Sequence, residues 1–245
     1  MEKPKVYAAM PCYDSVRVET MVSMLDTFST LGKNGIEAKF KTVKSSLVTH
    51  ARNLLTCGFL ESGFDYMLCV DADVEFEPEA ALRMLVPEKD IVCTPYRVKE
   101  NPNDTKYAVI FKDPGNIKIL PFDMVEIEEG PAGLMLIHRR VFEGLMDKHP
   151  ELKIEFNDDM RKPMNDEVMG KPTNQDPIAK FMYNFWDTTF SLETGEWKGE
   201  DLSFCARARE AGFKIYANLD SWTTHHGSWG WKGRFGDTLL KKNVK

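Results

Sequence analysis

The sequence lacks the features that identify several common protein classes. None of its five cysteines stands in a C-x-x-C pair, which argues against a thiolate zinc site. No apolar run approaches the roughly 20 residues that cross a bilayer, and no apolar stretch follows the charged N-terminus as in a signal peptide. We therefore expect no transmembrane segment and a cytoplasmic location.

A net positive charge and a glycine-rich phosphate loop are also missing. The net charge of −6 argues against a nucleic-acid partner, which would require a broad basic surface. No G-x-x-x-x-G-K-[ST] occurs, so a P-loop enzyme is excluded. Residues 10–15, after the first apolar run, read MPCYDS without a glycine, which disfavours a sugar nucleotidyltransferase with its glycine-rich loop at that place.

Short apolar runs alternate with helix-like segments in the first 100 residues. This alternation predicts β-α-β-α-β-α-β and a largely parallel sheet. The four strands are predicted at Val6–Met10, Ala38–Val43, Tyr66–Val70 and Ile91–Thr94.

The second half of the chain has a different pattern. Lys106–Ile127 is broken by prolines, which indicates antiparallel or edge structure, and Gly133–Ile137 is another buried strand. Gly199–Ala211 is a helix and Phe213–Ala217 is expected to be the final strand. The polar, proline-rich segment Pro150–Pro177 is expected to be a long loop.

Two carboxylates directly follow the third predicted strand, in the motif Asp71-Ala72-Asp73. Ligands of open α/β sheets bind beyond the carboxyl ends of the strands. Two carboxylates one residue apart can hold a hard divalent cation, which can in turn hold a diphosphate. A solvated turn at the end of a strand is the alternative interpretation.

A second acid pair, Glu200 and Asp201, opens the late helix. The structural interpretation is favourable charge at a helix N-terminus. The functional one, which we favour for Asp201, is a base that takes the proton of an attacking hydroxyl. A helix N-terminus lowers the pKa of a carboxyl group, so a base at this place requires burial to offset that effect.

Other polar residues have two open interpretations each. His225 and His226, expected after the last strand, are either structural or ligands that with carboxylates suit Mn²⁺, or else Mg²⁺. Arg52 is expected by default on a solvated polar face of its helix. Gly133 is either part of a plain turn or a place where backbone approaches a ligand.

Taken in order, six segments resemble the GT-A glycosyltransferases, near family 2 and its viral and bacterial relatives. They are Ala9–Cys12, Ala51–Asn53, Met67–Val74, Gly130–Ile137, Gly199–Cys205 and Thr224–Gly227. The resemblance implies an α/β, Rossmann-like GT-A fold, with a central, mostly parallel mixed sheet flanked by helices and a smaller antiparallel element. It implies one domain over residues 1–245: a nucleotide-binding half to about 100, an acceptor half to about 230, and a C-terminal tail 231–245.

The resemblance also implies an activity, namely metal-dependent transfer of a sugar from a UDP- or GDP-sugar to a hydroxyl of a glycan or other acceptor, with inversion. Asp201, beside Glu200, would be the base, and Mn²⁺ or Mg²⁺ would be the cofactor. The implied metal ligands are Asp71, Asp73 and His225 or His226, and the implied donor-binding residues are Pro11, Arg52, Asp71, Ala72, Asp73, Gly133 and Lys232. If the protein is viral, the location becomes the host cytoplasm.

Three alternatives stay open at this point. A sugar nucleotidyltransferase would share the sheet and the metal. A glycoside hydrolase could use the paired acids without a nucleotide. A non-catalytic carbohydrate-binding protein could keep the fold and lack turnover of a nucleotide sugar.

Overall fold

The computed structural model describes residues 3–100, 103, 105–155 and 177–240. The strands are β1 (Val6–Cys12), β2 (Ala38–Lys44), β3 (Tyr66–Val70), β4 (Val74–Phe76), β5 (Ile91–Cys93), β6 (Ile119–Leu120), β7 (Met124–Ile127), β8 (Leu134–His138), β9 (Thr189–Phe190), β10 (Trp197–Lys198), β11 (Ile215–Asn218), β12 (Trp222–His226) and β13 (Gly230–Arg234). The α-helices are α1 (Val18–Lys33), α2 (Val48–Ser62), α3 (Ala80–Leu85), α4 (Arg139–Lys148), α5 (Glu200–Glu210) and α6 (Gly236–Leu240). The α/β class and the early β-α alternation are confirmed.

The central sheet has eight strands in the order β2-β1-β3-β8-β5-β11-β7-β6. β1 is parallel to β2 and β3, while β8 runs antiparallel between β3 and β5. β3 is buried along its whole length, as expected of a continuous apolar run in a sheet covered on both faces. The prediction of a mostly parallel mixed sheet is confirmed.

Helices cover both faces of this sheet. On one face, Phe59 of α2, Phe142 of α4 and Phe204 of α5 belong to one buried apolar cluster. On the other face, Met24 of α1 and Met84 of α3 belong to a second cluster. These two layers fix the carboxyl ends of the strands, where the predicted acids lie.

A smaller antiparallel sheet, ordered β13-β12-β4, completes the fold. It corrects two predictions, because β11 is not the last strand and the histidine pair lies inside β12 rather than after the last strand. β12 pairs with β4 so that His225 lies opposite Val74. The far end of the chain is thereby brought beside the turn that carries Asp71 and Asp73.

The predicted loop Pro150–Pro177 lies largely outside the described residues. Its described ends form short 3-10 helices at Pro150–Leu152 and Pro177–Phe181. Among the helices that the structure describes, none combines the length and apolar character required to span a membrane.

Candidate functional site

A cavity of about 460 Å³ lies beside the turn that follows β3. Its wall contains residues from the end of β1, the start of α2, the Asp71–Asp73 turn and the first residue of α5. The lining residues are Pro11, Cys12, Tyr13, Ser15, Arg17, Ser45, Ser46, Val48, Arg52, Asp71, Ala72, Asp73, Lys99, Glu200, His226 and Gly227. We call this space the acid cavity.

Arg52 joins the two predicted acid pairs in the wall of the acid cavity. Its Nη2 donates to Asp71 Oδ1 at 2.7 Å and its Nε donates to Glu200 Oε1 at 3.2 Å. The side chain is only 3% exposed. The expectation of a solvated polar face is therefore wrong for this part of α2.

The reason for this burial lies in a segment that precedes β9. The Arg52 guanidinium lies 5.4 Å from the centre of the buried Trp186 ring. Asn53 donates to the Trp186 carbonyl at 3.1 Å and accepts from the Trp186 N–H at 3.0 Å. Trp186 in turn stacks on Phe204 of α5, with ring centroids 4.2 Å apart. The packing of α2 against this segment thus removes Arg52 from water and holds it between the acids.

Asp73 has two cationic or potentially cationic partners. The Lys99 ammonium forms a close ion pair with its Oδ2, and His225 Nε2 lies 3.6 Å from its Oδ1. Burial alone would raise the pKa of Asp73, but the nearby His225 and Lys99 side chains outweigh burial and lower the pKa to about 2. Asp73 is therefore a carboxylate throughout the physiological pH range.

The two histidines of β12 point to different partners. His225 Nδ1 lies 3.0 Å from the Arg97 carbonyl oxygen, which can only accept, so Nδ1 carries a proton and Nε2 faces Asp73. His226 Nε2 lies 2.9 Å from Glu75, while the His226 backbone N–H donates to the Asp73 carbonyl at 2.8 Å. Neighbouring side chains of a strand alternate between its faces, so the His225 ring lies beside the Asp73 carboxylate, whereas His226 pairs with Glu75 and lines the acid cavity.

Asp73 and His225 fit a divalent ion in part. An imidazole whose Nδ1 is held by a backbone carbonyl, and whose Nε2 lies 3.6 Å from a carboxylate, has the orientation of a metal-ligating histidine. Within the described part of the chain, no group of three or more histidine, cysteine or acidic side chains is arranged to hold a metal. A Mg²⁺ or Mn²⁺ ion that bridges to a diphosphate needs only one or two protein carboxylates, because phosphate and water oxygens supply the remaining ligands.

Asp201 lies at the second position of α5, after the N-cap Gly199. Burial, followed by the charge of Glu200, raises the pKa of Asp201 to about 6. A hydrogen bond from the Leu202 N–H to its Oδ1 at 2.8 Å and the charge of Arg52 lower the pKa, but by less. Burial thus more than offsets the lowering expected at a helix N-terminus. Asp71 also acts on this carboxyl group, so the two acid motifs share one electrostatic environment.

Gly133 and Tyr96 pack behind Asp71. The Asp71 N–H donates to the Gly133 carbonyl at 2.9 Å. A β-carbon added at Gly133 would lie 2.5 Å from the Tyr96 hydroxyl oxygen and 2.6 Å from Asp71 Oδ2, so only glycine leaves room for both side chains. The Tyr96 ring also lies 4.5 Å from the His225 ring, and burial raises its pKa well above the usual value.

Sequence reasoning missed Tyr96, Lys99 and Arg17, which all lie at or near the acid cavity. Tyr96 and Lys99 follow β5, a neighbour of β11 and β8 in the sheet, so their place after a strand end was an available signal. Arg17 gives no such signal, since it lies before α1 and donates to the Gly227 carbonyl at 2.8 Å.

The structure does not bring every predicted donor-binding residue to the acid cavity. Pro11 and Ala72 line it, and Gly133 lies directly behind it. Lys232 instead lines a second cavity, and its ammonium lies 5.7 Å from the centre of the Trp222 ring. The predicted tail is a sheet strand at this point, where Lys232 of β13 lies opposite Thr224 of β12.

No family model and no curated protein sequence matches the chain. Among solved structures, a protein from STIV matches with a TM-score of 0.49 and 20% identity, covering 91% of this chain and 86% of that one. A glycosyltransferase involved in the glycosylation of the major capsid of PBCV-1 matches with a TM-score of 0.32 and 11% identity, covering 60% of this chain and 68% of that one. At TM-scores below 0.5, neither likeness assigns an activity to this chain.

Proposed function

We propose that the chain is a glycosyltransferase of the GT-A type, which transfers a sugar from a UDP- or GDP-sugar to a hydroxyl of a glycan or other acceptor. The transfer depends on Mn²⁺ or Mg²⁺ and inverts the anomeric centre. The observation that carries the proposal is that buried Arg52 joins the two acid motifs through Asp71 and Glu200. The neighbouring carboxyl groups of Asp73 and Asp201 have opposite pKa shifts.

Those opposite shifts divide the work between the acids. A carboxylate with a pKa of about 2 stays ionised and suits cation binding, whereas one with a pKa of about 6 suits proton transfer near neutral pH. Asp201 therefore takes the proton from the acceptor hydroxyl as that oxygen attacks the anomeric carbon. Glu200, tied to Arg52, positions the first turn of α5 and is not needed as a second base.

The donor end of the site is assigned to the acid cavity. Asp73 and His225 would hold the divalent ion, with Asp71 beside them, and that ion supplies charge neutralisation for the departing diphosphate. Arg17 and Lys99 line the same cavity and add positive charge near the phosphates. Pro11 and Ala72 form part of its wall against the nucleotide.

A thermal-shift panel of nucleotide sugars, measured with and without Mn²⁺, tests this proposal. A ligand that binds only the folded state raises the melting temperature by mass action. We expect one UDP- or GDP-sugar to stabilise the protein in the presence of Mn²⁺, and an Asp73→Asn variant to lose that response. If no nucleotide sugar stabilises the wild-type protein under either condition, the proposed donor class is wrong.

A further inference from the structure

The hairpin of β9 and β10 keeps two aromatic rings at the surface. Phe190 and Trp197 are paired across the strands, with ring centroids 4.8 Å apart and planes tilted by 42°. They remain 44% and 72% exposed, and Leu192 in the turn is 91% exposed. Burying a side chain of this size is worth about 2 kcal/mol, so a ligand that covers the pair would gain substantial free energy.

This hairpin is anchored rather than loose. The Lys198 ammonium pairs with the buried Glu129 at 2.6 Å, and the Thr189 hydroxyl lies 2.9 Å from the Ser203 hydroxyl of α5. Ser191 N–H donates to the Glu196 carbonyl at 2.9 Å, and Gly195 supplies the left-handed residue of the turn, with φ of 71°. The exposed rings are thus presented on a fixed support.

The same support carries the proposed base. Only Gly199 separates β10 from α5, so Trp197 lies four positions before Asp201. Four residues of extended chain separate the two Cα atoms by at most about 14 Å. Lys198 and Trp197 are neighbours in a strand and point to opposite faces. Because Lys198 reaches inward to Glu129, Trp197 is directed outward.

We infer that Phe190 and Trp197 form the acceptor platform, on which a pyranose ring of the acceptor stacks while its hydroxyl reaches Asp201. The inference rests on the proposed function and names its acceptor class: a carbohydrate with an exposed C–H face. Aromatic side chains offer such a ligand an apolar surface of matching size, and the polar edges of the sugar stay in water.

Saturation-transfer difference NMR tests the platform with methyl β-D-glucopyranoside and methyl β-D-galactopyranoside as probes. We expect saturation of the ring protons by the wild-type protein, and a loss of signal of about tenfold in Trp197→Ala and in Phe190→Ala. Phe122→Ala is the matched control, since Phe122 is exposed on the turn between β6 and β7, and it should keep the wild-type signal.

The outcomes separate this inference from the proposed function. If neither probe receives saturation from the wild-type protein, or if both platform variants keep the wild-type signal, the platform is refuted. Either result is expected if the aromatic pair binds a protein partner instead of a sugar. Stabilisation by the nucleotide sugar should persist in Trp197→Ala, because the hairpin contributes no lining residue to the acid cavity. If no nucleotide sugar stabilises the wild-type protein, the donor proposal is refuted instead.

Discussion

Asp73 and Asp201 show how two identical side chains acquire different chemistry. Asp73 gains ionic partners that more than compensate for its burial, while Asp201 is buried next to Glu200 and gains too little compensation. The first is therefore a permanent anion and the second a proton acceptor that titrates near pH 6.

In the proposed mechanism, Asp201 sets the pH dependence of transfer. Only the ionised carboxylate accepts a proton, and its pKa is about 6. We expect kcat/KM to rise as pH increases through about 6 and to level off above about 7. Initial rates between pH 5 and 8 measure this profile, and a flat profile across that interval contradicts the assignment of Asp201.

Asp201→Asn separates catalysis from stability. Transfer should fall by at least about a hundredfold, because the amide cannot take the proton. The raised pKa means that protonated Asp201 stabilises the fold, an effect that is full below the unfolded pKa and lost as pH rises through about 6. The variant should therefore melt higher than wild type at pH 7.5 and show a smaller advantage at pH 5.

The Lys99 ammonium forms an ion pair with the Asp73 carboxylate and so competes with any divalent ion that binds there. Lys99→Met should therefore strengthen the binding of Mn²⁺ alone by about tenfold, since the ion no longer displaces an ammonium group. Electron paramagnetic resonance of free Mn²⁺ measures the affinity. Lys214→Met, which removes an exposed lysine paired with Glu126, is the control; weaker Mn²⁺ binding in Lys99→Met would place the ion elsewhere.

At the scale of elements, Arg52 connects α2, the end of β3 and the start of α5. Its two charged hydrogen bonds reach Asp71 and Glu200, and its guanidinium lies against Trp186. The burial and the charge compensation with Asp71 are linked, because a buried guanidinium without a carboxylate would be costly. The relative position of the two acid motifs therefore depends on a residue that need not touch the substrate.

Arg52→Met tests this connection through stability. Removing one partner of a buried ion pair leaves the other charge uncompensated, and we expect a loss of about 3 kcal/mol in the free energy of unfolding. Urea denaturation measures the change. Arg140→Met breaks a more exposed pair with Asp90 and should cost less than about 1 kcal/mol. Equal effects of the two substitutions would mean that the contacts of Arg52 do not stabilise the connection between α2, β3 and α5.

At the scale of the whole molecule, local pattern predicted the fold where one segment decides its own structure. Tyr66–Val70 is a strand with the predicted bounds, because five consecutive buried apolar residues suit the middle of a sheet. β12 and β13 were missed, since their sequences WTTHH and GWKGR are polar or glycine-containing and form strands through pairing with β4. Such tertiary pairing overrides local propensity.

For the candidate site too, local sequence predicted some features, while others depend on contacts between distant segments. Asp71, Asp73 and Asp201 could be proposed as site residues from the sequence because each lies at the end of a strand or the start of a helix. The burial of the polar face of α2 could not be predicted from the sequence, because its partner Trp186 lies 133 positions after Asn53 along the chain. Likewise, Lys232 follows the register of β13 with β12, which no local pattern encodes.

Calorimetric titration of UDP and GDP into the protein with Mn²⁺ tests the central claim most directly, with wild type, Asp73→Asn and the exposed-site control Asp26→Asn measured side by side. The account predicts that one nucleoside diphosphate binds to wild type and to Asp26→Asn only with the metal present, and at least about tenfold more weakly to Asp73→Asn. Binding that is absent in all three proteins, or equal in all three, would contradict it.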